Sequence, residues 1–97
     1  MNAKKHILII EDDLDISRLL MLELSEVGFE VSHYDNGVRG LSAVREHNPD
    51  LVVLDLGLPD VEGAEIARRI RKTSTTPIIV LTAADDVQTK VELLTSG

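Results

Sequence analysis

The sequence predicts an α/β protein built on an open, doubly wound parallel sheet, and three features predict it. Short β-rich apolar runs alternate with amphipathic helical patterns from one end of the chain to the other. Three of those runs are apolar at every position, the texture of strands covered on both faces. Each of the three then gives way to a polar residue, and in such sheets the ligand site lies outside the carboxyl ends of the strands. A length of 97 residues fits one domain.

The first strand is Ile7-Leu8-Ile9-Ile10, which runs into Glu11-Asp12-Asp13. A helix follows, with Ile16, Leu19, Leu20, Leu24 and Val27 at three- and four-residue spacing and Gly28 as a left-handed stop. Phe29-Glu30-Val31-Ser32-His33-Tyr34 alternates and reads as a strand nearer an edge. A second helix covers about 38–46, with Leu41 and Val44 inward. Asn48-Pro49 breaks the chain before the third strand, Asp50-Leu51-Val52-Val53-Leu54, which ends in Asp55. The third helix covers about 64–72, with Ile66, Ala67 and Ile70 inward. Thr75-Thr76-Pro77 leads into the fourth strand, Ile78-Ile79-Val80-Leu81, which ends in Thr82. A last helix is expected over about 86–95, with Val87, Val91 and Leu94 on one side. Crossovers between parallel strands are right-handed, which leaves a doubly wound sheet as the economical arrangement.

Lys plus Arg count 10 against 17 Asp plus Glu, a net charge of −7 that disfavours direct contact with nucleic acid or anionic lipid. Without cysteine, the chain has no disulfides, thiolate metal sites or Cys nucleophiles. The first apolar run is too short for a signal peptide or a membrane span, so a cytoplasmic protein with no membrane contact is expected.

If the strands ending in Glu11-Asp12, Asp55 and Thr82 are neighbours, their side chains share one rim. Carboxylates that close destabilise one another unless a proton or a cation intervenes. Oxygen ligands without imidazole or thiolate suit Mg²⁺. Asp55 opens the turn Leu56-Gly57-Leu58-Pro59-Asp60-Val61-Glu62-Gly63, whose glycines and proline suit a tight loop that brings backbone groups toward a metal. A carboxylate beside bound Mg²⁺ can attack phosphorus and become an aspartyl phosphate. The Thr82 hydroxyl and the backbone N–H of Ala83 could then meet the phosphoryl oxygens. Taken singly, these residues have plainer readings: Asp13 and Asp15 as helix-capping charges, Asp55 as a turn former. An acidic pair, an Asp before a Gly/Pro turn and a Thr-Ala, each after a buried strand and in this order, outweigh them.

At these residues the sequence resembles the receiver domain of two-component response regulators, the CheY-like fold. The resemblance runs from Ile7-Leu8-Ile9-Ile10-Glu11-Asp12-Asp13 through Leu54-Asp55-Leu56-Gly57-Leu58-Pro59 and Gly63 to Ile79-Val80-Leu81-Thr82-Ala83-Ala84. It implies four strand-helix units with strand order 2-1-3-4. It also implies that Asp55 accepts the phosphoryl group, that Asp12 binds Mg²⁺ directly and Glu11 mostly through water, and that the Gly57 carbonyl joins the metal shell. Thr82 matches the switch hydroxyl, with Ala83 beside it. The implied partner is a sensor histidine kinase, whose phosphohistidine supplies a group that the receiver later hydrolyses. The turn after Asp55 and the loop after Thr82 are most similar to receivers that precede a winged-helix DNA-binding domain. Such receivers continue into a fifth strand ending in Lys-Pro and a fifth helix, which these 97 residues do not match, so residues 1–97 are read as a receiver incomplete at its C-terminus. Lys90 is a poor substitute for that lysine.

That reading leaves residues 78–81 as an exposed apolar edge, and self-association through the fourth strand and last helix is expected. The alternative is a phosphorylation-impaired receiver acting as a dimerisation or protein-interaction module. The chain does not read as a conventional enzyme: phosphohydrolases with an Asp nucleophile commonly carry a second Asp two residues on, where Gly57 stands. A flavin site is disfavoured because the carboxylates of Glu11-Asp12-Asp13-Leu14-Asp15 would face the cofactor phosphate. Arg68, Arg69, Arg71 and Lys72 read as a solvated helix face. His6, His33 and His47 show no metal-ligand spacing and read as half-exposed surface residues.

Overall fold

The computed structural model describes residues 4–81 and the backbone of residues 92–93. The chain runs β1 (His6–Ile10), α1 (Leu14–Val27), β2 (Glu30–Tyr34), α2 (Gly37–His47), β3 (Leu51–Asp55), α3 (Gly63–Thr73), β4 (Ile78–Leu81) and β5 (Glu92–Leu93). The first four strands are parallel and lie in the order β2-β1-β3-β4, as the sequence implied.

Strict alternation along the strands divides the core in two. Leu8, Ile10, Val52, Leu54, Ile78 and Val80 face one way and pack with Leu41, Val44, Ile66 and Ile70 of α2 and α3. Ile7, Ile9 and Val53 face the other way, toward Leu20, Met21 and Leu24 of α1. Both faces are therefore covered, which is why residues 7–10 of β1 and 51–54 of β3 are all apolar. The strands meet their helices through short caps. Gly28, at φ 114°, closes α1 in left-handed backbone, its amide donating to the Leu24 and Ser25 carbonyls. The Asn36 side chain accepts from Arg39 N–H at 2.9 Å and opens α2.

Two expectations need correction. The stripe expected on α1 does not form one buried face: Leu20 and Leu24 turn toward the sheet, whereas Ile16, Leu19 and Val27 are exposed. Ser17 and Met21 take the inward positions instead. Apolar residues occur on several sides of α1, so spacing alone does not select the side that packs. The second correction concerns the far end. Glu92–Leu93, expected within a helix over 86–95, pair antiparallel with β4, Leu93 opposite Ile79 and Glu92 opposite Val80. An open strand edge offers unpaired N–H and C=O groups, and here the chain's own backbone meets them. At Ile79 and Val80 the edge on which self-association was expected is thus occupied. The rest of that helix, with Lys90, lies outside the described residues.

Among the described residues no helix is long and apolar enough to cross a membrane.

Candidate functional site

β1 and β3 are adjacent, with Ile10 opposite Leu54, so the next residues, Glu11 just past β1 and Asp55 at the end of β3, stand side by side. Glu11 is buried to 3% exposure, unusual for a carboxylate. Its backbone N–H donates to the Tyr34 carbonyl at 3.0 Å, and its Oε2 accepts from Asp13 N–H at 3.0 Å. Asp12 is exposed at the mouth. Asp13 turns away to cap α1, its Oδ1 accepting from Asp15 N–H at 2.9 Å and Ile16 N–H at 3.2 Å, the capping role expected of it. Asp15 is the acidic residue of the first helical turn.

Asp55 is the last residue of β3, lies opposite Leu81 of β4 and is half-buried. Its Oδ1 accepts from Gly57 N–H at 3.1 Å, so the turn folds back over the carboxylate. α3 holds that turn from below. A Cβ built on Gly63 would stand 2.5 Å from the Asp55 carbonyl oxygen and 2.7 Å from the Leu56 Cα, so the start of α3 lies directly against the backbone that carries Asp55. Asp60, farther along the turn, accepts from Gly37 N–H at 2.8 Å and Val38 N–H at 3.0 Å, tying the turn to the first residues of α2. Those amides hold its carboxyl below the usual range.

Carboxylate oxygens of Glu11, Asp12 and Asp55 lie within 4.8 Å of one another. The sequence placed these three residues together, and the fold brings them together. Burial, with a smaller contribution from the charges of Asp55 and Asp12, pushes Glu11 up to about 7. Burial likewise raises Asp55, with Asp12 adding to the effect and the Gly57 amide opposing it. Three carboxyl groups thus share one strand-end site, and all the donors are hard oxygens. That set fits a small divalent cation.

Thr82 and Ala83 lie outside the described residues; Leu81, just before Thr82, accepts from Leu56 N–H at 3.2 Å. His33, read from sequence as a half-exposed surface residue and partly buried in the fold, contacts the backbone of Glu11. Its Nε2 lies 2.8 Å from the Glu11 carbonyl oxygen. Nothing in its spacing signals this; the contact follows only from the register that sets His33 opposite Ile9. On α3, Arg68 and Arg69 both pair with Glu65 of the same helix, the Arg69 contact at 2.8 Å.

The sequence model of the response regulator receiver domain matches residues 7–97. The chain belongs to that family. The transcriptional regulatory protein YkoG of Bacillus subtilis is 48% identical over 95 residues, a stretch covering 97% of this receiver domain and 42% of YkoG. The response regulator ArlR of Staphylococcus aureus is 43% identical over 91 residues, 94% of this chain and 42% of ArlR. The receiver domain thus spans less than half the length of these relatives. Among solved structures, response regulator TrrA of Thermotoga maritima, in complex with Mg²⁺ and BeF, matches with a TM-score of 0.78 at 39% identity, over 86% of this chain and 76% of that one. The BeF₃-activated receiver domain of Klebsiella pneumoniae RstA matches with a TM-score of 0.79 at 30% identity, over 87% and 73% of the two chains.

Proposed function

We propose that this receiver domain takes a phosphoryl group from a sensor histidine kinase onto Asp55 and uses the change to control an output. The observation that carries the reading is the convergence of Glu11, Asp12 and Asp55 within 4.8 Å at the carboxyl ends of adjacent strands. Mg²⁺ would be held by Asp12 and Asp55, by Glu11 mostly through water and by the Gly57 carbonyl; when bound it supplies positive charge against these carboxylates and the phosphoryl oxygens.

Asp55 is the nucleophile. Its carboxylate stands half-buried at the end of β3, beside those of Glu11 and Asp12. The Gly57 amide donates to Oδ1 and holds the carboxylate in place. One Asp55 O–P bond forms, the P–N bond of the phosphohistidine breaks, and the imidazole keeps the bonding pair and takes up a proton. Thr82 and the Ala83 amide then contact the phosphoryl oxygens, and water later cleaves the acyl phosphate. The output is transcriptional control, in keeping with the naming of YkoG. A cytoplasmic location follows from that role. Self-association belongs to the output side of this reading.

Beryllium fluoride with Mg²⁺ mimics the phosphoryl group and tests the reading by thermal denaturation. The wild-type chain should melt at a higher temperature with both present, and Asp55→Asn should abolish the shift. A wild-type chain indifferent to the mixture contradicts the proposal and favours a module working through protein contacts alone.

A further inference from the structure

The residues proposed to hold the metal sit where β1 ends, and a chain leaving a strand is usually free to vary. Here it is not. The Glu11 N–H is held by the Tyr34 carbonyl at 3.0 Å, the last backbone rung between β1 and β2. β2 stops at Tyr34 and the chain turns into the α2 cap at Asn36. A side chain supplies the following contact, with His33 Nε2 standing 2.8 Å from the Glu11 carbonyl oxygen. That carbonyl belongs to the peptide unit joining Glu11 to Asp12. Fixing it fixes the plane from which Asp12 departs, while Asp13 N–H fixes the Glu11 carboxylate through Oε2.

We propose that His33 is a positioning residue for the cation site, its imidazole orienting the Glu11–Asp12 peptide so that both carboxylates converge on Asp55. A carbonyl can only accept, so Nε2 carries the proton, and neutral His33 is the Nε2–H tautomer. The logic is that of partners outside a metal's own shell, whose removal typically costs ~10–100-fold in affinity because the ligands lose their orientation. The inference rests on the metal-binding reading of Glu11, Asp12 and Asp55, and its test separates the two.

The test compares wild type, His33→Leu and His33→Gln, the last placing an amide N–H near the position of Nε2. Without metal, ¹⁵N spectra of the wild-type imidazole should show the Nε2–H tautomer. The backbone amides of Asp12 and Asp13 should shift in His33→Leu and return toward wild type in His33→Gln. With Mg²⁺, His33→Leu should bind about tenfold more weakly and His33→Gln should recover most of the loss. A structural role alone would change melting temperature without this split between Leu and Gln. An Nδ1–H tautomer, or a folded His33→Leu chain with unshifted Asp12 and Asp13 amides and wild-type Mg²⁺ affinity, overturns the inference. If the wild type itself bound no Mg²⁺, the metal-site reading would fall, and the tautomer and loop amides would still decide the role of His33.

Discussion

Gly63→Ala is expected to lower the melting temperature by on the order of 15 °C, corresponding to about 3 kcal/mol in a domain of this size. The added Cβ would lie 2.5 Å from the Asp55 carbonyl oxygen, 2.7 Å from Leu56 Cα and 3.0 Å from Leu56 Cδ2. The two closest neighbours are backbone and cannot rotate aside. Relief requires α3 to lift from the sheet, which loosens the packing of Ile66, Ala67 and Ile70, all buried at 5% exposure or less. Alanine's better helix propensity returns at most about 1 kcal/mol. Gly57→Ala is the control, because its Cβ would meet nothing closer than Asp55 Oδ1 at 3.9 Å, and its stability should stay within about 1 kcal/mol of wild type. Urea denaturation of both variants measures the difference. Equal midpoints would show that α3 does not bear on the Asp55 backbone.

Metal-free protein is expected to lose stability as pH rises from about 5 to about 8. Glu11 titrates near 7 when folded, against an ordinary 4.5, so between those values the folded chain binds more protons than the unfolded one. Its contribution is fully present below the unfolded value and is lost as pH rises through the folded one. Asp55 is raised in the same direction by burial. For Glu11 alone the loss is up to about 3 kcal/mol. Asp60 and Glu65 are held below their ordinary range by the Gly37 amide and by Arg69 respectively, so their stabilising contributions disappear only at more acid pH and do not mask the trend. Glu11→Gln keeps an oxygen for the Asp13 amide but carries no charge, and should flatten the profile. Melting temperature across this pH range is the measurement; a metal-free curve that rises toward pH 8 would show that the carboxylates are not under strain.

Much of this was legible in the residues because it depends on local pattern. Residues 7–10, 51–54 and 78–81 are continuous apolar runs, the pattern of strands covered on both faces. The site was legible for a related reason: Glu11, Asp12 and Asp55 are the polar residues at which those runs end, and parallel order fixes which ends meet. What escaped depends on long-range geometry. The packed side of α1 is set by the sheet it meets, and Ile16, Leu19 and Val27 advertise the wrong one. Glu92–Leu93 pair with β4 because a strand edge is there to pair with, a condition that helical spacing in the sequence does not register. His33 acquires its role from its register opposite Ile9 and from a strand that stops one residue later. Its side chain completes what the backbone leaves undone.

Relaxation by Mn²⁺, a paramagnetic substitute for Mg²⁺, followed amide by amide in the NMR spectrum, tests most directly whether Glu11, Asp12 and Asp55 form a cation site. At low Mn²⁺ the first resonances to broaden should be those of Glu11–Asp13 and Asp55–Gly57, with Mg²⁺ reversing the effect and Asp12→Asn weakening it. Broadening that instead spreads over exposed carboxylates such as Glu23, Glu26 and Glu46, with no preference for the strand ends, would contradict the account.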